Sequence, residues 1–192
     1  MHRRAFLSLA AGAALAQPRR PPNLVVMFAD DLGYGDLSCY GHPLIRTPRL
    51  DRMAAEGVRF TSFYAAASVC TPSRAGLLTG RYPLRAGQPE NLGPESKAGL
   101  PLEEITLAQL LKSYGYRTAA FGKWHLGHQP PYLPSARGFD EFQGLPYSND
   151  MIPPWVQTKV PLRWYRNGEA GEEVKDQSQL TGTAAADAVR FI

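Results

Sequence analysis

An α/β fold with a mostly parallel sheet is predicted by three observations. Strand-length apolar runs alternate with amphipathic helical stretches, residues 23–29 ahead of a helix at 47–57 and a helix at 106–114 ahead of a strand at 116–122. The run Asn23-Leu24-Val25-Val26-Met27-Phe28-Ala29 is apolar without alternation, as a strand buried on both faces of a parallel sheet must be. Asp30-Asp31 and Lys123-Trp124-His125 follow directly on predicted strands, at the carboxyl edge where such sheets gather their chemistry. The 192 residues, 44% hydrophobic and 20% charged, suffice for one core and exclude a disordered, fibrous or disulfide-rich chain.

Residues 1–16 carry paired arginines, a short apolar stretch and a small-residue exit at Ala14-Leu15-Ala16, which reads as a secretory signal peptide. Arg3-Arg4 followed by Phe6-Leu7 also resembles a twin-arginine leader, so the export machinery is an expected partner and the periplasm or cell exterior the expected location. The apolar stretch is too short to span a bilayer, and no later segment is apolar enough to cross one. The formal charge of +4 falls to +2 once Arg3 and Arg4 are set aside, too weak to suggest a nucleic-acid partner. Residues 17–22 form a Pro/Arg linker, and residues 23–192 are expected to form the folded domain.

In the helix at 47–57, Thr47-Pro48 makes the start, Leu50, Met53 and Ala54 make the apolar stripe, and Gly57 makes the stop. A second strand is expected over 58–65, and a short helix over 73–79, just after Cys70 and ended by Gly80. Leu107, Leu110 and Leu111 give the clearest amphipathic helix, closed by Gly115 and feeding the strand at 116–122. Residues 130–168, rich in Pro, Gly and aromatics without a period, read as long ordered loops. A last helix is expected from Thr183, where Ala184, Ala185, Ala188, Val189 and Ile192 share a face.

Adjacent carboxylates at a strand end need a turn or a shared cation to hold both charges, so Asp30-Asp31 reads either as a solvated turn or as ligands for a hard divalent ion. Residues two apart on an extended segment point the same way, so Lys123 and His125 can enter one pocket, hold an anionic group and move protons while Trp124 faces elsewhere. Cys70 alone is a packed thiol or half of a disulfide with Cys39; Arg74, four residues on along a helix, would lie beside it. His42 reads as structural, and His128 stays a site candidate by its closeness to the Lys-Trp-His block.

Four segments change these weights: the metal-type segment around Asp30-Asp31-Leu32-Gly33-Tyr34-Gly35-Asp36, the run Cys70-Thr71-Pro72-Ser73-Arg74 with Gly76-Leu77-Leu78-Thr79-Gly80-Arg81, Gly122-Lys123-Trp124-His125-Leu126-Gly127, and Pro146-Tyr147-Ser148-Asn149-Asp150. In their order and content they resemble the formylglycine-dependent sulfatase family, closest to its arylsulfatase A and N-acetylgalactosamine-6-sulfatase branches, from Pro22 to about Asp150. The resemblance implies an alkaline-phosphatase-like α/β/α sandwich, a sulfate ester substrate and calcium or magnesium held by Asp30, Asp31 and matured Cys70. It implies a maturation enzyme that oxidises Cys70 to formylglycine, with Arg74, Lys123 and His125 holding the aldehyde hydrate and sulfate, and Ser148 facing the substrate. Pro146-Tyr147-Ser148-Asn149-Asp150 is also plain β-turn chemistry. Because no Asp-Asn-Gly motif follows, the chain is expected to be the amino-terminal portion of such an enzyme and inactive alone. Two further readings are an exported non-catalytic sulfatase-like fragment and a phosphonate or phosphodiester hydrolase of the same superfamily.

Overall fold

The computed structural model describes residues 21–192, so the expected leader at 1–16 and linker residues 17–20 lie outside the described residues. Two compact units are present, one ending at Val58 and the other spanning Arg59–Ile192.

In the first unit, short 3-10 turns at Tyr34–Asp36 and Ser38–Tyr40 precede helix α1, Pro48–Glu56. Pro48 sits in the first turn, where its missing N–H is no loss. Ser38 and Thr47 exchange backbone-to-hydroxyl hydrogen bonds of 3.1 and 2.9 Å, and both hydroxyls donate to the Asp51 carboxylate. The Ser38 hydroxyl, ahead of Thr47, holds the Asp51 carboxyl below its ordinary range. The strands expected over 23–29 and 58–65 do not form, and Leu24 to Phe28 stand 41–67% exposed. An apolar run supplies a strand's faces but not its ladder, and a strand persists only where a neighbour pairs with it.

The second unit contains helix α2 (Cys70–Thr79), helix α3 (Leu107–Ser113), strands β1 (Ala119–Lys123), β2 (Glu141–Leu145), β3 (Arg163–Arg166) and β4 (Glu169–Glu173), and helix α4 (Leu180–Phe191). The α/β class is as expected, and the sheet of the described residues is mixed: β1 and β2 pair in parallel, while β2–β3 and β3–β4 are antiparallel. Residues 130–168 are not continuous loop, since they contain β2, β3 and a 3-10 turn at Pro134–Arg137. The β3–β4 hairpin turns on Asn167 and Gly168, whose φ angles of 50° and 96° are those of a tight two-residue turn. Helix α4 begins at Leu180, ahead of the expected Thr183.

Thr106 caps α3: its Oγ1 accepts from Gln109 N–H at 3.1 Å while the Gln109 side chain accepts from Thr106 N–H at 2.9 Å. At the register pair Gly122–Gly144, a Cβ on Gly144 would lie 1.8 Å from the Gly122 carbonyl oxygen, so β1 and β2 approach as closely as they do only because Gly144 carries no side chain. One apolar cluster gathers Ala75 of α2, Leu100, Trp124, Leu126 and Phe142 of β2; a second gathers Leu145, Tyr147 and Leu162. Arg137 is buried, and its guanidinium donates to the carbonyls of Pro101 at 3.1 Å and Glu104 at 2.6 Å. Every buried residue among those described lies from Thr71 to Leu162.

Candidate active site

Helix α2 starts at Cys70 itself, three residues earlier than expected. Pro72 is no obstacle, because a first-turn residue has no intrahelical N–H bond to lose. Val69 in the extended region (φ −130°, ψ 158°) breaks the helix before Cys70, and Gly80 at φ 65° ends it. The Thr71 N–H donates to Asn91 Oδ1 at 2.8 Å, so a distant side chain caps the first turn in place of Val69.

Lys123 closes β1, and its Nζ donates to Cys70 Sγ at 3.1 Å and to Ser148 Oγ at 2.9 Å. Ser148 follows β2 and is buried. An ammonium can only donate, so Ser148 accepts from Lys123 and keeps its own O–H hydrogen to offer elsewhere. Arg74, one helical turn past Cys70, donates from Nη1 to the Lys123 carbonyl at 2.5 Å and thereby ties α2 to the end of β1. Cys70, Arg74, Lys123 and Ser148 thus form one connected set built from a helix start and the carboxyl ends of two parallel strands. A positive ammonium beside a helix N-terminus suits an anion.

The shared direction expected for Lys123 and His125 rested on unbroken extended backbone, and the chain departs from it. Gly122, His125 and Gly127 have φ of 100°, 57° and 110°, so the two-residue alternation fails across this segment. The His125 ring is buried with Nε2 2.8 Å from the Leu92 carbonyl, and its own carbonyl accepts from Thr71 Oγ1 at 2.9 Å. Trp124 turns into the core, edge-on to Phe139, with Nε1 donating to the Tyr132 carbonyl at 3.0 Å. His128 stands edge-on to Tyr147, centroids 5.5 Å apart, and burial pushes its imidazole down. His42 Nδ1 accepts the backbone N–H groups of Leu44 and Ile45, a local turn role. Cys39 and Cys70 are both free thiols, so no disulfide joins them.

Asp30 and Asp31 belong to the first unit and are exposed, with Asp31 at φ 55°. That bend removes the alternation that would send neighbouring carboxylates to opposite faces. Two hard carboxylates suit calcium or magnesium, and supply part of the about 6–8 oxygens such an ion takes. Among the described residues no group of three His, Cys, Asp or Glu side chains is arranged to hold a metal ion. Sequence reasoning passed over Asn91, Leu92 and Thr71. A lone Asn in a Pro- and Gly-containing loop carries no pattern, and only Thr71, inside the cysteine motif, could have been noticed.

A family model described as Sulfatase matches residues 22–186. Human arylsulfatase A is 58% identical over 151 residues, covering 77% of this chain and 29% of its own length. Rat arylsulfatase G is 52% identical over 212 residues, covering 97% of this chain and 40% of its own. The chain therefore spans less than half the length of these relatives. Among solved structures, the PsFucS1 sulfatase from Pseudoalteromonas sp. aligns over 100% of this chain and 45% of its own with a TM-score of 0.76 and 32% identity. Ps i-CgsB in complex with k-i-k-neocarrahexaose aligns over 84% of this chain and 39% of its own, with a TM-score of 0.71 and 34% identity. The fold of these neighbours is the alkaline-phosphatase-like one.

Proposed function

The chain belongs to the sulfatase family, and we propose that it carries the nucleophile end of a sulfuric ester hydrolase acting on an aryl or sugar sulfate. The observation that carries this reading is the Lys123 ammonium held 3.1 Å from Cys70 Sγ and 2.9 Å from Ser148 Oγ at the first residue of a helix. Cys70 would be matured to formylglycine by a separate enzyme, and Asp30 and Asp31 would contribute two carboxylates toward calcium or magnesium. In that state the aldehyde hydrate supplies a nucleophilic hydroxyl and a second hydroxyl whose deprotonation expels sulfate, and the cation supplies a Lewis acid.

The chain's own groups do the rest. Lys123 offsets negative charge on the sulfate oxygens where it builds up. Ser148, already accepting from Lys123, donates its hydroxyl hydrogen to the ester. Arg74 fixes the Lys123 backbone, and His125, its ring held by the Leu92 carbonyl, would serve as a proton carrier. The leader at 1–16 would send the chain to the periplasm or cell exterior, and no described helix is long and apolar enough to cross a membrane.

The test is mass spectrometry of the Cys70 peptide after expression with the maturation enzyme, and turnover of an aryl sulfate beside an aryl phosphodiester by the complete enzyme of which this chain is the expected amino-terminal portion. An aldehyde at residue 70 and sulfate release lost in Cys70→Ala support the reading. An unmodified thiol throughout, or a preference for the phosphodiester, overturns it.

A further inference from the structure

We infer that the segment Asn91-Leu92 is a positioning strap that fixes the Cys70 helix against His125 and places the imidazole proton on Nε2. Four hydrogen bonds close a ring. Thr71 N–H donates to Asn91 Oδ1 at 2.8 Å, and Leu92 N–H donates to Thr71 Oγ1 at 3.2 Å. Thr71 Oγ1 donates in turn to the His125 carbonyl at 2.9 Å, and His125 Nε2 lies 2.8 Å from the Leu92 carbonyl. Thr71 is fully buried and His125 is 1% exposed, so water does not compete for these bonds.

A carbonyl oxygen only accepts, so Nε2 is the donor and carries the hydrogen. In the neutral imidazole Nδ1 is then the basic nitrogen. The two residues of the strap thus govern both ends of the pair: Asn91 sets the first turn on which Cys70 sits, and Leu92 sets which ring nitrogen takes a proton. Asn91 lies outside the Cys70-Thr71-Pro72-Ser73-Arg74 motif, so replacing it leaves the segment presented for oxidation intact.

The role in turnover rests on the sulfatase reading, whereas the tautomer does not. The experiment therefore reads the tautomer on this chain and turnover on the complete enzyme of which it is the expected amino-terminal portion. Histidine 15N–1H correlation spectra, with the His125 signals assigned by their loss in His125→Gln, should give a single Nε2–H tautomer in the unsubstituted chain and in Asn91→Asp, which keeps the acceptor. Asn91→Ala should give averaged tautomers, with kcat for an aryl sulfate down about 10- to 100-fold and KM within about twofold. Asn91→Asp should recover kcat. Should Asn91→Ala unfold, Asn91→Gln, which shifts the acceptor by one carbon, replaces it. An Nδ1–H or averaged His125 in the unsubstituted chain, or an unchanged tautomer or kcat in Asn91→Ala, overturns the strap. Absence of turnover in the complete unsubstituted enzyme would count against the sulfatase reading, and the tautomer pattern would still decide the strap.

Discussion

Lys123 shares one ammonium between a thiol and a hydroxyl, and the geometry leaves little room for a substitute. Lys123→Ala is expected to lower kcat/KM for an aryl sulfate about 100- to 1,000-fold, the size of loss seen when one preorganised donor is removed. Lys123→Arg should not restore it, because a planar guanidinium cannot occupy a point-charge position between two acceptors. Steady-state kinetics of the three proteins checks this. A second residue-scale prediction concerns acid. The Lys112 ammonium, 2.6 Å from Asp140 Oδ1, together with the Thr118 N–H, lowers the Asp140 carboxyl from 3.8 to about 2. A carboxyl lowered on folding contributes stability that is complete above its unfolded value and lost as pH falls through its folded one. The melting temperature should therefore drop between about pH 4 and pH 2, and Asp140→Asn should be less stable at neutral pH with a flatter profile across that window.

At the level of elements, the parallel pair β1–β2 is the joint that brings Lys123 and Ser148 together, and Gly144 allows it. Gly144→Ala would push a Cβ to 1.8 Å from the Gly122 oxygen and should cost about 3 kcal/mol or more in chemical denaturation. Gly182→Ala, in α4 with nothing within 4 Å, should stabilise by about 0.5–1 kcal/mol. The helices were legible because their signals are local: Pro48 and Gly57 for α1, Gly80 for α2, the Leu107, Leu110 and Leu111 stripe with Gly115 for α3. Strand β2 was not, since Glu141-Phe142-Gln143-Gly144-Leu145 has a glycine where a strand reading asks for a side chain and depends on pairing with β1, distant in sequence. The β3–β4 hairpin has its signal in Asn167-Gly168, a strong hairpin dipeptide inside a Pro- and Gly-rich stretch that otherwise lacks a period. In the site, Cys70, Arg74, Lys123, His125 and Ser148 stood in recognisable motifs. The His125 bend and the Asn91 cap did not, because both depend on contacts between residues far apart in sequence.

Across the whole molecule burial is uneven. The apolar side chains of residues 24–28 are 41–67% exposed, an uncharged β-prone segment of the kind that pairs with other chains. Val26→Lys should slow aggregation, measured by light scattering, by placing a charge within that segment. Among the described residues, the confinement of buried ones to the span from Thr71 to Leu162 also determines what a saturation mutagenesis screen would report. Read out by cellular abundance, such a screen would respond to core positions such as Leu100, Phe142 and Leu162 and pass over Asp30 and Asp31. Read out by sulfate release, it would respond to both groups, so subtracting one map from the other would separate residues that hold the chain together from residues that do its chemistry.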